Sequence, residues 1–306
     1  MIRLPRRGFV AAAGATLAAP FIRPVRAAPS FKTVAPGVLT VANSNEMPMV
    51  GMENGKMIGS DAEIISTIAA KMGLGVVSAQ MEWSATVQSV KSGRADIMAG
   101  NMGWTPARAA ALLITDAIYY AGPFICMKTS QPFTTAVTIA DMKGRSIGTV
   151  NGFTIVPEMK KVPGTTDVKL YDNSDGCIRD VVAGRLDFAL LDGPLVDYII
   201  LKNASWGLKT VPLTRNADYP QLTSKQHTVM GMNQENFDLF DAVNAGVKWM
   251  WKTGQNAALM KKYGIGNPDY LVPPDPNPRI GVDRDANGNV IGPGAHPTKD
   301  FSSLFA

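Results

Sequence analysis

The stretch DIMAGNMGWTPAR, residues 96–108, places a short apolar run directly before the start of a helix. Residues 96–100 are typical of a buried strand. Thr105 suits the N-cap of a helix and Pro106 its first position, so Arg108 is expected in the first helical turn after a strand end. Ligands of open α/β sheets bind beyond the carboxyl ends of the strands, where helix N-termini favour anions. The stretch therefore places Arg108 at an edge where it could bind an anion or form an ordinary salt bridge.

The same alternation extends on both sides of this stretch. From residue 37 to residue 266, short β-like runs alternate with helical periods, which indicates α/β layers around a mainly parallel sheet. VKSGRADI at residues 90–97 is echoed by VVAGRLDF at residues 181–188, each predicting a helix end, a glycine cap and a strand. The echo suggests two lobes of similar build.

The N-terminus has the pattern of an export signal. Arg6 and Arg7 precede an apolar, Ala-rich run at residues 9–22, and small residues follow at Ala27 and Ala28. A run of about 14 residues is too short for a membrane anchor, which needs roughly 20. We predict that residues 1–28 are a twin-arginine-like signal peptide, removed on export to the periplasm.

Removal of this segment lowers the formal net charge of the chain from +5 to zero. It holds 5 of the 30 basic residues and no acid, which leaves 25 bases against 25 acids. The basic isoelectric point is therefore no argument for a nucleic-acid partner. The mature chain of 306 − 28 = 278 residues is long enough for one large or two mid-sized cores.

Catalytic and metal-binding patterns are weak. The only histidines are His227 and His296, so the sequence predicts no enzyme, no metal site and no cofactor. Residues 283–294 imitate a calcium loop, but Gly294 occupies the place of the bidentate glutamate, and Asn287-Gly288 favours a tight turn. Cys126 and Cys177 could form a bridge after export or stay as two buried thiols.

Several ordered motifs resemble one protein family. AGNMGWTPAR at residues 99–108 and TDAIYY at residues 115–120 are similar to the signature of the polar amino-acid-binding proteins of ABC transporters, extracellular solute-binding protein family 3. Similarity extends from about residue 39 to residue 264, through Glu82-Trp83, residues 140–145 and residues 190–192.

The resemblance implies a fold and a function. We expect an α/β, two-lobed periplasmic-binding-protein fold (type II) with a ligand cleft at the hinge. Lobe 1 would comprise residues 36–122 and 232–266, and lobe 2 residues 123–231. The proline-rich C-terminal tail, residues 267–306, would wrap the surface or stay mobile. Such a monomer would capture a small zwitterionic ligand by closing its hinge and deliver it to an ABC transporter permease.

Two charged residues carry the implied ligand contacts. Arg108 would bind a carboxylate through a forked pair of hydrogen bonds, which lysine cannot reproduce. Asp192, at the end of a strand, would bind the ammonium group. The alternatives are an ordinary salt bridge for Arg108 and, for Asp192, a turn residue that caps residues 193–195.

Other expected ligand-binding residues surround these two, in loop 151–154 of lobe 2, at the end of the strand in lobe 1, and among the aromatic side chains. They are Gly152, Thr154, Asn101, Gly103, Trp83, Trp104 and Phe153. Gly152 would let the backbone approach closely, and the aromatic rings would pack the aliphatic part of the ligand, although each ring could equally be core.

The chain also departs from the family pattern. Gly103 stands where many relatives carry a hydroxyl, and residues 45–49, NEMPM, replace a proline followed by an aromatic residue. Met47 and Met49 could shape an altered pocket or fill the core of lobe 1. Two other functions stay open: an accessory that docks on a periplasmic redox enzyme, and a dehydratase on the same fold.

Overall fold

The structure is a computed structural model that describes residues 31–266, 270–273 and 279–306. The expected signal peptide, residues 1–28, lies outside the described residues. The described chain is an alternating α/β structure.

Thirteen strands are present in the described part of the chain: β1 Val38–Asn43, β2 Gly51–Glu53, β3 Lys56–Ile58, β4 Gly75–Gln80, β5 Ile97–Gly103, β6 Leu113–Ile114, β7 Tyr119–Ala121, β8 Pro123–Lys128, β9 Ser146–Val150, β10 Asp167–Tyr171, β11 Phe188–Asp192, β12 Leu208–Pro212 and β13 Gln226–Met232. Nine α-helices accompany them over the same residues: α1 Ser60–Lys71, α2 Trp83–Lys91, α3 Pro106–Ala109, α4 Val156–Met159, α5 Ser174–Ala183, α6 Gly193–Lys202, α7 Pro220–Thr223, α8 Phe237–Thr253 and α9 Gln255–Lys262. None of the helices in these described ranges has the length and apolarity to cross a membrane.

Two separate sheets form the centres of two lobes. The first has the strand order β4-β1-β5-β13-β6, with β7 also paired to β13. The second has the order β10-β9-β11-β8-β12. In each sheet three neighbouring strands run parallel, and the strands that cross between the sheets pair antiparallel to them. The expected two-lobed α/β fold is confirmed.

The chain crosses between the sheets twice, at adjacent points. Gly122 alone separates β7 from β8, and a Cβ on Gly122 would lie 3.5 Å from the Cα of Lys225 on the returning segment. We expected lobe 2 to reach residue 231, but β13 pairs with β5 and β7 of the first sheet from Gln226 onward. The second crossing therefore lies near Lys225, because backbone pairing begins there.

Helix α1 begins differently from its sequence pattern. Ser60 and Glu63 have the spacing of a capping box, yet the N-cap is Gly59 at φ 112°, and no side-chain cap bond is present. The N–H groups of Ser60 and Asp61 instead donate to the carbonyls of Pro48 and Met49, at 2.8 and 3.0 Å. Backbone carbonyls of the preceding loop thus replace the serine cap, and they hold that loop against the helix.

The C-terminal tail is packed on lobe 1 along residues 279–306. His296 Nε2 lies 3.0 Å from Asp241 Oδ1 of α8, and the His296 ring stacks on Phe237 at a centroid distance of 4.4 Å. Phe305 is 5% exposed and contacts Trp249 at 5.6 Å. Asn287-Gly288 lies in the turn closed by the antiparallel bridge between Arg284 and Val290, as its sequence predicted.

The two cysteines are free thiols. Cys126 on β8 and Cys177 on α5 are both buried in the same apolar cluster. Burial raises the pKa of Cys126 to about 12 and raises that of Cys177 as well. Of the two alternatives that the sequence left open, the structure has the buried thiols.

The echoed glycines allow a direct test of the helix ends. Gly93 has φ 71°, and an added Cβ would meet nothing within 4 Å, so substitution there affects backbone conformation alone. We expect Gly93→Ala to lower the free energy of unfolding by about 1 kcal/mol, and Gly93→Asn by less, because asparagine tolerates the left-handed region. Urea unfolding of the three proteins measures this. Equal losses for alanine and asparagine would contradict the conformational explanation.

Candidate functional site

A buried carboxylate shapes the end of strand β5. Asp61 is fully buried, and its Oδ2 accepts hydrogen bonds from the N–H groups of Gly100 and Asn101, at 3.2 and 2.7 Å. The hydroxyl of Tyr119 donates to Oδ1 at 2.8 Å. Burial raises the pKa of Asp61, and these donors oppose that shift. The contacts hold Gly100 and Asn101 at φ 109° and 54°, a left-handed conformation that asparagine tolerates better than most residues.

The Asn101 side chain is thereby placed between the lobes. Its Oδ1 accepts a bond from Thr228 Oγ1 at 2.8 Å, which fixes the amide orientation. Its Nδ2 has no partner of normal geometry among the described residues, although the side chain is only 6% exposed. The amide nevertheless lies close enough to Asp192 to lower the pKa of that carboxyl. Asn101 therefore offers a buried hydrogen-bond donor to the cleft.

Arg108 connects the two lobes. As predicted, Thr105 caps helix α3 by accepting a 3.1 Å bond from the N–H of Arg108. The helix has only 4 residues, so its dipole contributes less than the sequence argument assumed. Arg108 Nη1 donates to the carbonyl of Gly103 at 2.5 Å in its own lobe, and Nη2 donates to the carbonyl of Gly152 at 3.0 Å in lobe 2.

The guanidinium stays cationic despite its burial. Arg108 is 8% exposed, and its guanidinium carbon lies 5.6 Å from the ring centroid of Trp83. Burial lowers the pKa of Arg108 to about 10, and the charge of Asp192 opposes that shift. The site therefore holds a positive charge at neutral pH.

Asp192 faces the same cavity from lobe 2. It ends strand β11 and stands at the N-cap position of α6, but its side chain makes no capping bond. The structure therefore does not support the alternative that Asp192 is a turn residue whose side chain caps residues 193–195. Desolvation by burial raises the pKa of Asp192 to about 7, with Asn101 lowering it and Glu46 raising it further. Asp192 thus titrates near neutrality.

Glu46 is a cavity residue that the sequence reasoning missed. Its Oε1 accepts a hydrogen bond from the N–H of Ser174 at 2.9 Å, from the loop of lobe 1 to helix α5 of lobe 2. Burial raises its pKa, and the Ser174 bond opposes the shift. Residues 45–49 depart from the family pattern, and this departure could have indicated Glu46. The sequence-based interpretation considered only Met47 and Met49 there. Met49 is buried in the core, and neither Met47 nor Met49 lines the cavity.

The lobes lie in close contact around the cavity. Thr154 Oγ1 donates to Gln226 Oε1 at 2.8 Å, and a Cβ on Gly152 would lie 3.1 Å from the Cα of Ser84. A Cβ on Gly103 would lie 2.7 Å from Gln226 Oε1 and 2.9 Å from Thr154 Cγ2. The space open to the centre of a water molecule is about 20 Å³, close to what one water occupies. The absence of a side chain at Gly103 thus lets Thr154 and Gln226 approach closely, in addition to removing the hydroxyl that many relatives carry there.

Most of the expected site residues come together at this cavity. Those that line it are Trp83, Asn101, Gly103, Arg108, Phe153, Thr154 and Asp192, and Gly152 joins them through its carbonyl. Residues that line it without having been expected are Glu46, Gly100, Ala121, Gly122, Gln226 and Thr228. Trp104 does not line it: its indole N–H donates to Asp283 of the C-terminal tail at 3.1 Å. Of the three aromatic residues expected to pack a ligand, Trp104 is thus held by the C-terminal tail, while Trp83 and Phe153 line the cavity.

Two α/β lobes joined by two crossing segments, with charged groups from both lobes facing one cleft, define a hinged solute-binding protein. Comparison with known families agrees. The chain belongs to the bacterial extracellular solute-binding proteins, family 3, whose model matches residues 39–266.

Individual relatives are distant. The probable amino-acid-binding protein YxeM of Bacillus subtilis is 26% identical over 148 residues, which are 48% of this chain and 55%, about half, of that protein. The histidine-binding periplasmic protein of Salmonella typhimurium is 24% identical over 220 residues, 68% of this chain and 80% of that protein. The solved structure of an ancestral arginine-binding protein bound to arginine has a TM-score of 0.66 at 25% identity, covering 74% of this chain and 98% of that one.

The close approach of Thr154 and Gln226 to Gly103 can be tested by a substitution that adds only a Cβ atom. We expect Gly103→Ala to hold the lobes apart, because its Cβ would displace Thr154 and Gln226. In the presence of a solute that closes wild type, small-angle X-ray scattering should show a larger radius of gyration for the variant than for wild type. Gly176→Ala is the matched control, since its Cβ would lie at an ordinary 3.5 Å from Asn173. An unchanged radius for Gly103→Ala would contradict this account.

The titration of Asp192 predicts a pH-dependent stability difference. Its folded-state pKa of about 7 lies above the ordinary value, so its stabilising contribution is present at low pH and is lost as pH rises through 7. Asp192→Asn stays neutral throughout. We expect the stability of the variant relative to wild type to increase from pH 4 to pH 7, by at most about 1.4 kcal/mol per pH unit. Urea unfolding across this range measures it, and a pH-independent difference would refute the shift.

Proposed function

We propose that this protein binds a zwitterionic amino acid between Arg108 and Asp192 and closes its two lobes around it. The exported protein would act in the periplasm as a monomer and deliver the ligand to an ABC transporter permease. The observation that carries the proposal is that one guanidinium and one titrating carboxylate, from different lobes, line a single cavity. The relatives named for amino acids, histidine and arginine among them, support it.

The ligand carboxylate would bind Arg108. The guanidinium already donates to two backbone carbonyls, and a carboxylate that replaces the carbonyl of Gly152 would form a stronger, charge-assisted bond. The planar fork of arginine suits two parallel bonds to one carboxylate. Arg108 would thus select the acid end of the ligand.

The ammonium group would bind Asp192. A cation beside this carboxylate favours its ionised form, so ligand binding would lower the raised pKa of Asp192. The Nδ2 group of Asn101, which lowers the pKa of Asp192, lies nearby as a neutral donor. With Glu46 the cavity has two carboxylates against one arginine, which disfavours ligands with an acidic side chain.

Closure would follow from contacts that exist only when the lobes meet. A ligand held by Arg108 on one lobe gains Asp192 only on closure, so it shifts the population toward the closed form. A shift from 1:99 to 99:1 requires that the closed form bind about 5.5 kcal/mol more tightly. The contact with Asp192, gained only on closure, is worth about 1.5 to 3 kcal/mol and supplies part of that difference.

Isothermal titration of the mature protein with a panel of L-amino acids tests the proposal. We expect micromolar binding of at least one neutral or basic amino acid and weaker binding of aspartate and glutamate. Arg108→Ala should weaken binding at least about tenfold, because loss of a charge-assisted bond costs at least ~1.5 kcal/mol. Arg108→Lys should not restore it, since the fork is lost.

Arg185→Ala removes an exposed arginine that pairs with Asp180 and does not line the cavity, so its affinity should match wild type. Affinity of Arg108→Ala within a few-fold of wild type would refute the binding mode. No binding across the panel would favour an accessory role, and chemical conversion of a ligand would favour a dehydratase.

A further inference from the structure

Trp104 is held by the C-terminal tail rather than by the cleft. Besides the 3.1 Å bond from its indole N–H to Asp283 Oδ2, its ring lies 5.8 Å from the guanidinium carbon of Arg279. Asp283 and Arg279 are 7% and 4% exposed, and Arg279 Nε lies 3.1 Å from Asp283 Oδ1. A tryptophan next to the cavity strand is therefore fixed by a buried ion pair from a distant part of the chain.

The tail also contacts the far end of the same segment. Arg279 Nη2 donates to the carbonyl of Thr115 at 3.0 Å, and Arg284, itself 3% exposed, donates to the carbonyl of Ile114. The contacts at Trp104 and at residues 114–115 bracket helix α3, which carries Arg108. The tail thus holds both ends of the segment that aims Arg108 into the cavity.

The tail residues that make these contacts lie outside the part of the chain that the family model matches. The family model ends at residue 266, and the ancestral arginine-binding protein matches over 98% of its own length while covering 74% of this chain. Three buried charged side chains are also a costly way to obtain stability alone, because apolar residues of the same volume often serve as well or better. A buried ion pair is better suited to fix one orientation of the groups that it bonds.

We propose that Asp283 is a positioning residue for ligand binding: through Trp104 it holds Gly103 and the Arg108 helix in the orientation that grips a ligand. Trp104 follows directly after Gly103, whose carbonyl accepts the Nη1 bond of Arg108. A shift of Trp104 would move that carbonyl and the helix with it. This inference rests on the proposed amino-acid binding.

The first experiment compares substitutions by titration with the amino acid that wild type binds most tightly. We expect Asp283→Ala and Trp104→Phe each to weaken binding about fivefold or more. The double variant should bind no more weakly than either single variant, since both remove one interaction. Asp283→Asn should weaken binding less than Asp283→Ala does, because its amide oxygen can still accept the indole N–H although the ion pair with Arg279 is lost.

His296→Ala is the matched control within the tail. His296 is a buried tail residue that bonds Asp241, away from Trp104, so its loss should lower the melting temperature without changing affinity. Affinity of Asp283→Ala within twofold of wild type, or effects of Asp283→Ala and Trp104→Phe that multiply, would overturn the proposal. If Asp283→Ala does not fold, Trp104→Phe decides alone, and wild-type affinity there overturns it.

Hydrogen exchange separates this inference from the proposed function. In Asp283→Ala the backbone amides of residues 104–112, several of which bond within the α3 turn, should exchange at least about tenfold faster than in wild type, and those of α5 should not change. If wild type binds none of the amino acids, the proposed function fails while this readout still tests the positioning. Unchanged exchange in residues 104–112 would overturn the positioning role whatever the ligand.

Discussion

A buried guanidinium that bonds one carbonyl from each lobe is the interaction on which this cleft depends. Burial of an unpaired cation is costly, so Arg108 requires partners in both lobes, and the carbonyls of Gly103 and Gly152 supply them. Glycine suits both positions, because a Cβ at residue 103 would displace Thr154 and one at residue 152 would lie 3.1 Å from the backbone of Ser84. The charge thus couples the geometry of the two lobes, and any anion that binds Arg108 must compete with backbone carbonyls.

The carboxylates in and near the cavity differ in the hydrogen-bond donors that surround them. Asp61 is fully buried and bonded to two backbone N–H groups and a tyrosine, so it acts as a structural anchor for the end of β5. Asp192 has no such set of donors, and its pKa is raised to about 7. Glu46 bonds across the cleft to helix α5. Three carboxylates close together in the fold therefore have three roles, because their hydrogen-bond donors differ.

The C-terminal tail adds a layer that the family-matched region lacks. Its residues 279–306 pack on lobe 1 through an aromatic stack at His296, an apolar contact at Phe305 and the buried charges near Trp104. Composition alone suggested a segment that cannot build a core of its own and would either wrap the surface or stay mobile. The segment is ordered because it uses the surface of lobe 1 as its core and satisfies its charged groups with backbone carbonyls of that lobe.

Local sequence determined the strand-helix alternation, the cap at Thr105 and the presence of Arg108 and Asp192 at strand ends, because these depend on residues a few positions apart. It could not determine the N-cap at Gly59, the return of the chain near Lys225, or the direction of Trp104. Glu46 reaches Ser174 across 128 residues, and Trp104 reaches Asp283 across 179. Only the tertiary structure decides such contacts, because the side of a segment that faces the cleft is set by long-range packing and not by its neighbours in the chain.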